Sequence, residues 1–297
     1  MSRFTIFACP KPFTGRMDVV QRNAILSWKR ISPQPKILLF GDDEGTAEVC
    51  RELGLRHVPD IARNSYGTPL LDDIFKKAQQ MAETDLVCYT NADMIFTSGF
   101  SQALKQIDDF RGPFLLSGGR WGLDVEKPLN FSDPHWEEEL KIGAQRDGSF
   151  HFWGNDYFLF TRGLYPGMPP LAIGRGWFDG WLITKALSQG TPVIDASEVI
   201  FMVHQNHDYA HARAENYPAM CQKEESKRNY ELAEVSKGWV LLSCATHVLT
   251  PGGVKKARVW WRKIFFEFQL TRLYQGTAGR IKFLRQIIKG SPAGCSS

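Results

Sequence analysis

Residues 86–96, Leu-Val-Cys-Tyr-Thr-Asn-Ala-Asp-Met-Ile-Phe, constrain the fold of this chain more than any other stretch. An apolar run ends in Asn91-Ala92-Asp93, and a second apolar run follows at once. A buried strand that stops in a carboxylate puts that acid at the open edge of a sheet, where open α/β sheets bind their ligands. The preceding residues fit such a sheet. Residues 4–9 read as a first strand. Val20, Ala24, Ile25 and Trp28 recur at helical spacing, which predicts a helix over about 18–30. A strand over Lys36–Phe40 stops at Gly41-Asp42-Asp43, and a helix over 44–53 is closed by Gly54. Arg56–Val58 is a short third strand. Thr68 as N-cap and Pro69 as first helical residue predict a third helix reaching about Glu83. Strands and helices that alternate in this way make a mostly parallel sheet.

After Phe110 the rhythm changes. Residues 114–117 read as a strand, 118–150 as an insertion or active-site loop rich in Gly, Trp, Pro and charge, and 151–161 as one further strand. Gly174-Arg-Gly-Trp-Phe-Asp-Gly-Trp181 leads into a helix that ends near Gln189-Gly190. Strands are expected at 191–195 and 199–203, the second running into His204-Gln-Asn-His207-Asp208-Tyr209. The expected division is one domain over 1–215, with halves 1–110 and 111–215, and a helical extension over 216–297.

Composition makes the chain globular, since 43% of its 297 residues are hydrophobic and only 23% are charged. Cys9, Cys50, Cys88, Cys221, Cys244 and Cys295 are scattered without a Cys-x-x-Cys pair, which suits a reducing compartment and a cytoplasmic location. The first apolar run is broken by Pro10 and Pro12, too early for a secretory leader, and no 18-residue uncharged apolar stretch predicts a membrane span. Charge is uneven. Residues 254–289 hold ten Lys or Arg and one acid, Glu267, a net of +9 against +4 for the whole chain. Mixed with Trp260, Trp261 and Phe265, that segment has the make-up of a basic amphipathic helix on an anionic membrane surface, here the inner face. A helix packed on the body is the plainer reading. No nucleic-acid motif accompanies the charge.

Several groups of residues carry candidate chemistry. Asp93 is a hard oxygen ligand at a strand end, suited to Mg²⁺ or Mn²⁺, though many such acids only cap a loop. Lys11, in Cys9-Pro10-Lys11-Pro12, is long enough to reach a phosphate. Asp42, Asp43, Arg63, Asn64 and Gly67 lie in loops after the second strand and before the third helix, where each is also ordinary turn chemistry. Asp179 opens a helix, whose dipole and free N–H groups are expected to keep it ionised as a general base; a plain N-cap is the alternative. Asp156, in Trp153-Gly154-Asn155-Asp156, is the rival acid. His204, His207 and His211 cluster in sequence around Asp208, with no Cys or Glu nearby to complete a zinc set.

The strand order and the Asn91-Ala92-Asp93 step resemble the nucleotide-sugar half of a GT-A glycosyltransferase. Phe178-Asp-Gly-Trp-Leu, Pro192-Val-Ile-Asp-Ala and His204-Gln-Asn-His-Asp-Tyr resemble its family-2-like bacterial members, over roughly residues 3–212. The resemblance implies an α/β GT-A fold: a Rossmann-like, mostly parallel sheet flanked by helices, with the basic helical extension added. It implies a nucleoside-diphosphate sugar as donor, UDP preferred, and a hydroxyl of a saccharide or lipid-linked acceptor. Asp93 matches the second acid of the Asp-x-Asp motif and would bind Mn²⁺ or Mg²⁺ with His207 or His204. Asn91 stands for the first acid and keeps only hydrogen bonding. Cys9, Pro10 and Lys11 would meet the nucleotide, Asp42 or Asp43 the uracil ring, and Arg63, Asn64 and Gly67 an Asn-x-x-Gly donor loop. Asp179 would be the base of an inverting transfer. Two alternatives stay open. One is a nucleotidyltransferase making the activated sugar, for which Cys9-Pro-Lys-Pro-Phe-Thr-Gly15 is a poor signature loop. The other is a non-catalytic saccharide- or membrane-binding protein, which Asn91 keeps in play.

Overall fold

A computed structural model of the protein describes residues 4–152, 154–207 and 214–257. The first half follows the alternation in the sequence: β1 (Phe4–Ala8), α1 (Gly15–Trp28), β2 (Lys36–Phe40), α2 (Thr46–Leu53), β3 (Arg56–Val58), α3 (Leu71–Met81) and β4 (Leu86–Thr90). Strands β4, β1, β2 and β3 lie side by side and parallel. All five residues of β1 are buried, as expected for a strand covered on both faces. Phe4 and Ile6 pack with Trp28, Phe96 and Phe100 on one side; Phe7 packs with Phe75, Tyr89 and Phe160 on the other.

Helix α3 begins at Leu71, not at Thr68-Pro69. Residues 68–70 are instead extended against the stretch before Asp179: Leu70 bridges Ala172, and the Ile173 amide donates to the Pro69 carbonyl at 3.0 Å. A backbone committed to that pairing cannot open a helix, whatever its capping residues favour.

The second half departs further from expectation. It continues as β5 (Met94–Phe96), α4 (Ser98–Gln106), β6 (Leu115–Ser117), β7 (Arg120–Leu123), α5 (Trp136–Asp147), β8 (Ser149–His151) and β9 (Tyr157–Thr161). Then come α6 (Phe178–Ser188), β10 (Val193–Asp195), β11 (Met202–Gln205), α7 (Tyr217–Cys221), α8 (Glu224–Leu232), β12 (His247–Thr250) and β13 (Gly253–Lys256). The main sheet has nine strands among the described residues, in the order β13-β12-β10-β6-β9-β4-β1-β2-β3. It is largely parallel, but β9 runs antiparallel between β6 and β4. A second sheet, β5-β11-β7-β8, stands beside it.

Residues 118–150 are therefore not a loop: they supply β7 and α5 and the first residues of β8. The single strand expected over 151–161 belongs to two strands in different sheets, β8 ending at His151 and β9 beginning at Tyr157, and Asp156 lies just before β9. Residues 216–257 are not a purely helical extension either, because β12 pairs with β10 and continues the main sheet past the expected boundary at 215. The basic segment from 258 onward lies outside the described residues.

Candidate active site

The C-terminal ends of β1 and β4 open into a cleft of about 680 Å³. Asn91, Ala92 and Asp93 form its floor, between β4 and β5. Strand β11 reaches the same place because it pairs antiparallel with β5, His204 opposite Met94. Side chains alternate along a strand, so His204 lines the cleft while Gln205 turns inward. Gln205 is fully buried. Its amide donates to the Val20 carbonyl (2.7 Å) and the Asp93 carbonyl (3.2 Å), and its oxygen accepts from Asn23 (3.1 Å). That residue pins β11, α1 and the Asp93 backbone together.

Asp93, His204 and His207 thereby meet, with one ligand atom from each lying within 4.8 Å of the others. Asp93 Oδ2 is 2.9 Å from His207 Nε2 and 3.6 Å from His204 Nε2. Burial pushes the Asp93 carboxyl up, but the two imidazoles and Lys11 outweigh it and hold the group well below the usual carboxylate range. Burial, the largest cause, lowers His204 against the Asp93 charge, which raises it; the deprotonated imidazole is the form that can ligate a metal. Asp93 Oδ1 and His204 Nδ1 are buried without a hydrogen-bond partner. A carboxylate faced by two imidazole Nε2 atoms fits a divalent cation, and Asp93 Oδ1, buried and unpaired, is a second oxygen of the same carboxylate that it could offer. The nitrogen ligands suit Mn²⁺ better than Mg²⁺, which prefers oxygen. Lys11 Nζ lies 3.3 Å from His207 Nε2, at the edge of the set. His211 and Asp208 lie outside the described residues.

The place of Asn91 is explained by its neighbours. Its amide nitrogen donates to Asp156 Oδ1 at 2.9 Å, and its oxygen accepts from the Tyr89 hydroxyl at 3.2 Å. A carboxylate at 91 would face the Asp156 carboxylate. Asp156 also pairs with Arg120. Held from both sides, it is poorly placed to move a proton.

Asp179, in the first turn of α6, lines the same cleft. The dipole was expected to keep it ionised, and here the structure differs. Burial raises its carboxyl to about 6, despite hydrogen bonds from the backbone amides of Gly180 and of Asp179 itself, and the nearby Asp156 charge adds to the rise. The group still ionises near neutrality.

Of the residues that the resemblance would place at the nucleotide, Cys9, Pro10, Lys11, Asp43, Arg63 and Gly67 line the cleft. Burial, chiefly, pushes the Cys9 thiol up to about 12, so it is no nucleophile. Arg63 joins Asp42 (2.8 Å) and Asp43 (3.1 Å) and donates to the Gly67 carbonyl. Asp42 and Asn64 are not among the lining residues. Asp42 points outward, its side chain 69% exposed. Asn64 shapes its own loop, its oxygen accepting from the amides of Tyr66 and Thr68, and its nitrogen donates to Glu225 at 2.8 Å. For Asn64 the turn chemistry is what the structure holds.

Sequence reading missed Arg120, Arg175, Tyr217 and Glu225, which also line the cleft. Arg175 is almost fully buried and pairs with Glu225 on α8 at 2.8 Å. A charge inside the Gly174-Arg-Gly176 loop is a signal in hindsight, but its partner lies fifty residues downstream, beyond any local spacing.

No protein-family model matches the chain, and no curated protein matches it. Solved structures do. Glucosyl-3-phosphoglycerate synthase from Mycobacterium tuberculosis, with Mn²⁺, UDP and phosphoglyceric acid, is 11% identical over 80% of this chain and 78% of its own, at a TM-score of 0.47. The mannosyltransferase PcManGT from Pyrobaculum calidifontis, with GDP-Man and Mn²⁺, is 11% identical over 97% of this chain and 80% of its own, at 0.42. S. aureus TarS 1–349 is 13% identical over 42% of this chain, at a TM-score of 0.30, and the match spans only 36% of that protein. In fold, this chain is a mixed α/β protein with a largely parallel central sheet.

Proposed function

We propose that the chain is a metal-dependent glycosyltransferase that moves a sugar from a nucleoside-diphosphate donor, UDP by preference, to a hydroxyl of a saccharide or lipid-linked acceptor. The observation that carries this reading is the meeting of Asp93, His204 and His207 at the C-terminal edge of a largely parallel sheet, with Asp93 Oδ1 buried and unpaired. Those three residues would hold Mn²⁺, which when bound supplies positive charge against the leaving diphosphate. Lys11 adds charge beside it. Arg63, Asp43 and Gly67 border the nucleotide end of the cleft.

Asp179 is the base in this reading. Its carboxylate takes the proton of the acceptor hydroxyl as that oxygen bonds to the anomeric carbon; the bond from that carbon to the diphosphate oxygen breaks, and the configuration inverts. A carboxyl that titrates near 6 is ionised at neutral pH yet basic enough to accept a proton. Asp156 is bound instead to Arg120 and Asn91 and orients groups in the cleft.

A thermal-shift screen of nucleoside diphosphates with and without Mn²⁺ tests the proposal. A ligand at about 100 times its Kd stabilises the native state by about 2.7 kcal/mol. One diphosphate should raise the melting temperature only when Mn²⁺ is present. A screen in which none does so, or in which Mn²⁺ makes no difference, contradicts it.

A further inference from the structure

The segment that carries Asp179 into the cleft is held in an unusual backbone state. Trp177, just before α6, has φ 71° and ψ −19°. The left-handed region is uncommon for any residue with a side chain and an outlier for a bulky one. Gly174 and Gly176 are left-handed as well, at 66° and 74°.

What holds this turn comes from downstream. The indole N–H of Trp239 donates to the Trp177 carbonyl at 3.3 Å, the same oxygen that accepts the Trp181 amide at 3.1 Å. The Trp177 ring meets Tyr230 edge-on at 5.2 Å and Trp239 at 5.6 Å. Asn229, on α8, donates to the carbonyls of Ala172 (2.9 Å) and Gly176 (3.0 Å) and accepts from the Ala172 amide (2.8 Å). Closest of all is Gly180, the neighbour of Asp179. A Cβ there would lie 1.9 Å from Trp239 Cε2, so the indole fills the space that any larger residue would need.

We propose that Trp239 is a positioning residue: by covering Gly180 and bonding the Trp177 carbonyl it fixes where the Asp179 carboxylate stands in the cleft. The inference rests on the reading of Asp179 as the base. Asp156 and the Cys221 thiol on α7 are the titratable groups whose charges couple to Asp179.

The test follows Asp179 directly. Aspartate carboxyl carbons are labelled with ¹³C in the full chain, and the resonance lost in Asp179→Asn identifies residue 179. Its midpoint in the wild type should lie near 6. Trp239→Ala opens the space over Gly180, and Gly180→Ala displaces the indole. Both should lower the midpoint by about one unit or more, as water reaches the carboxylate. Trp239→Phe keeps one ring but loses the N–H and part of the cover over Gly180; it should shift the midpoint less, in the same direction, and it carries the test where Trp239→Ala does not fold. A tryptophan with a merely structural role would lower the melting temperature and leave the midpoint in place, and that result overturns the proposal. The base reading fails separately: wild-type turnover in Asp179→Asn sinks it, whatever Trp239 does to the titration.

Discussion

Asp179 carries two predictions with opposite consequences. As a base it must be ionised, so kcat/KM should rise with pH through about 6, and Asp179→Asn should lose about 10²- to 10⁴-fold in kcat with donor binding intact. For stability the sign reverses. Its folded-state value is raised above the ordinary 3.8, so the fold favours the protonated form. That contribution is fully present below 3.8 and is lost as pH rises through about 6. Asp179→Asn should therefore melt higher than the wild type above pH 6 and alike below pH 4, which calorimetry at the two ends will check. Asn91 gives a second test at this scale. Asn91→Asp would set a carboxylate against Asp156, at a cost of roughly 1–3 kcal/mol that is larger at pH 8 than at pH 4. A denaturant titration showing no loss at pH 8 would refute the reason given for Asn at this position.

At the scale of elements, Gln205 matters most. It joins β11 to α1 and to the Asp93 backbone, so it sets where His204 and His207 arrive. Gln205→Leu removes the side-chain bonds to the Val20 and Asp93 carbonyls and to the Asn23 amide, and should cost about 1–3 kcal/mol. Mn²⁺ affinity should fall with it, although Gln205 is no ligand. Loss of stability with unchanged Mn²⁺ affinity would show that β11 keeps its place without this pin. The elements also divide by how legible they were. The alternation from β1 to β4 was written in local periodicity, and so was the placing of Asp93 at a strand end. The direction of β9 was not, because an alternating run reads the same in parallel and antiparallel pairing. Nor was the start of α3: a backbone pairing with residues a hundred positions away overrode Thr68-Pro69. The same limit applied in the site. The meeting of Asp93, His204 and His207 was foreshadowed because strand ends and histidine spacing are local signals. Arg120 and Arg175 were missed because their importance comes from distant partners.

At the scale of the whole molecule, the prediction concerns the basic segment 254–289. Strand β13 places its first residues in the main sheet, so a truncation should end at Ala257 and not at Gly253. Among the described residues no helix is long and apolar enough to cross a membrane. The proposal that the tail seats the protein on anionic lipid predicts that full-length protein cosediments with anionic vesicles and the chain ending at Ala257 does not. Each Lys or Arg within the surface potential contributes on the order of 1 kcal/mol, so raised salt should weaken the binding. Equal cosedimentation of both forms would assign the tail another role.

The claim on which the rest depends is that Asp93, His204 and His207 bind the metal through which a nucleoside diphosphate is held. Calorimetric titration of UDP into the protein, with and without Mn²⁺, in the wild type and in Asp93→Ala, tests it most directly. UDP should bind the wild type only when Mn²⁺ is present, and neither Mn²⁺ nor UDP should bind Asp93→Ala of unchanged fold. UDP binding that is indifferent to Mn²⁺, or Mn²⁺ binding that survives Asp93→Ala, would contradict it.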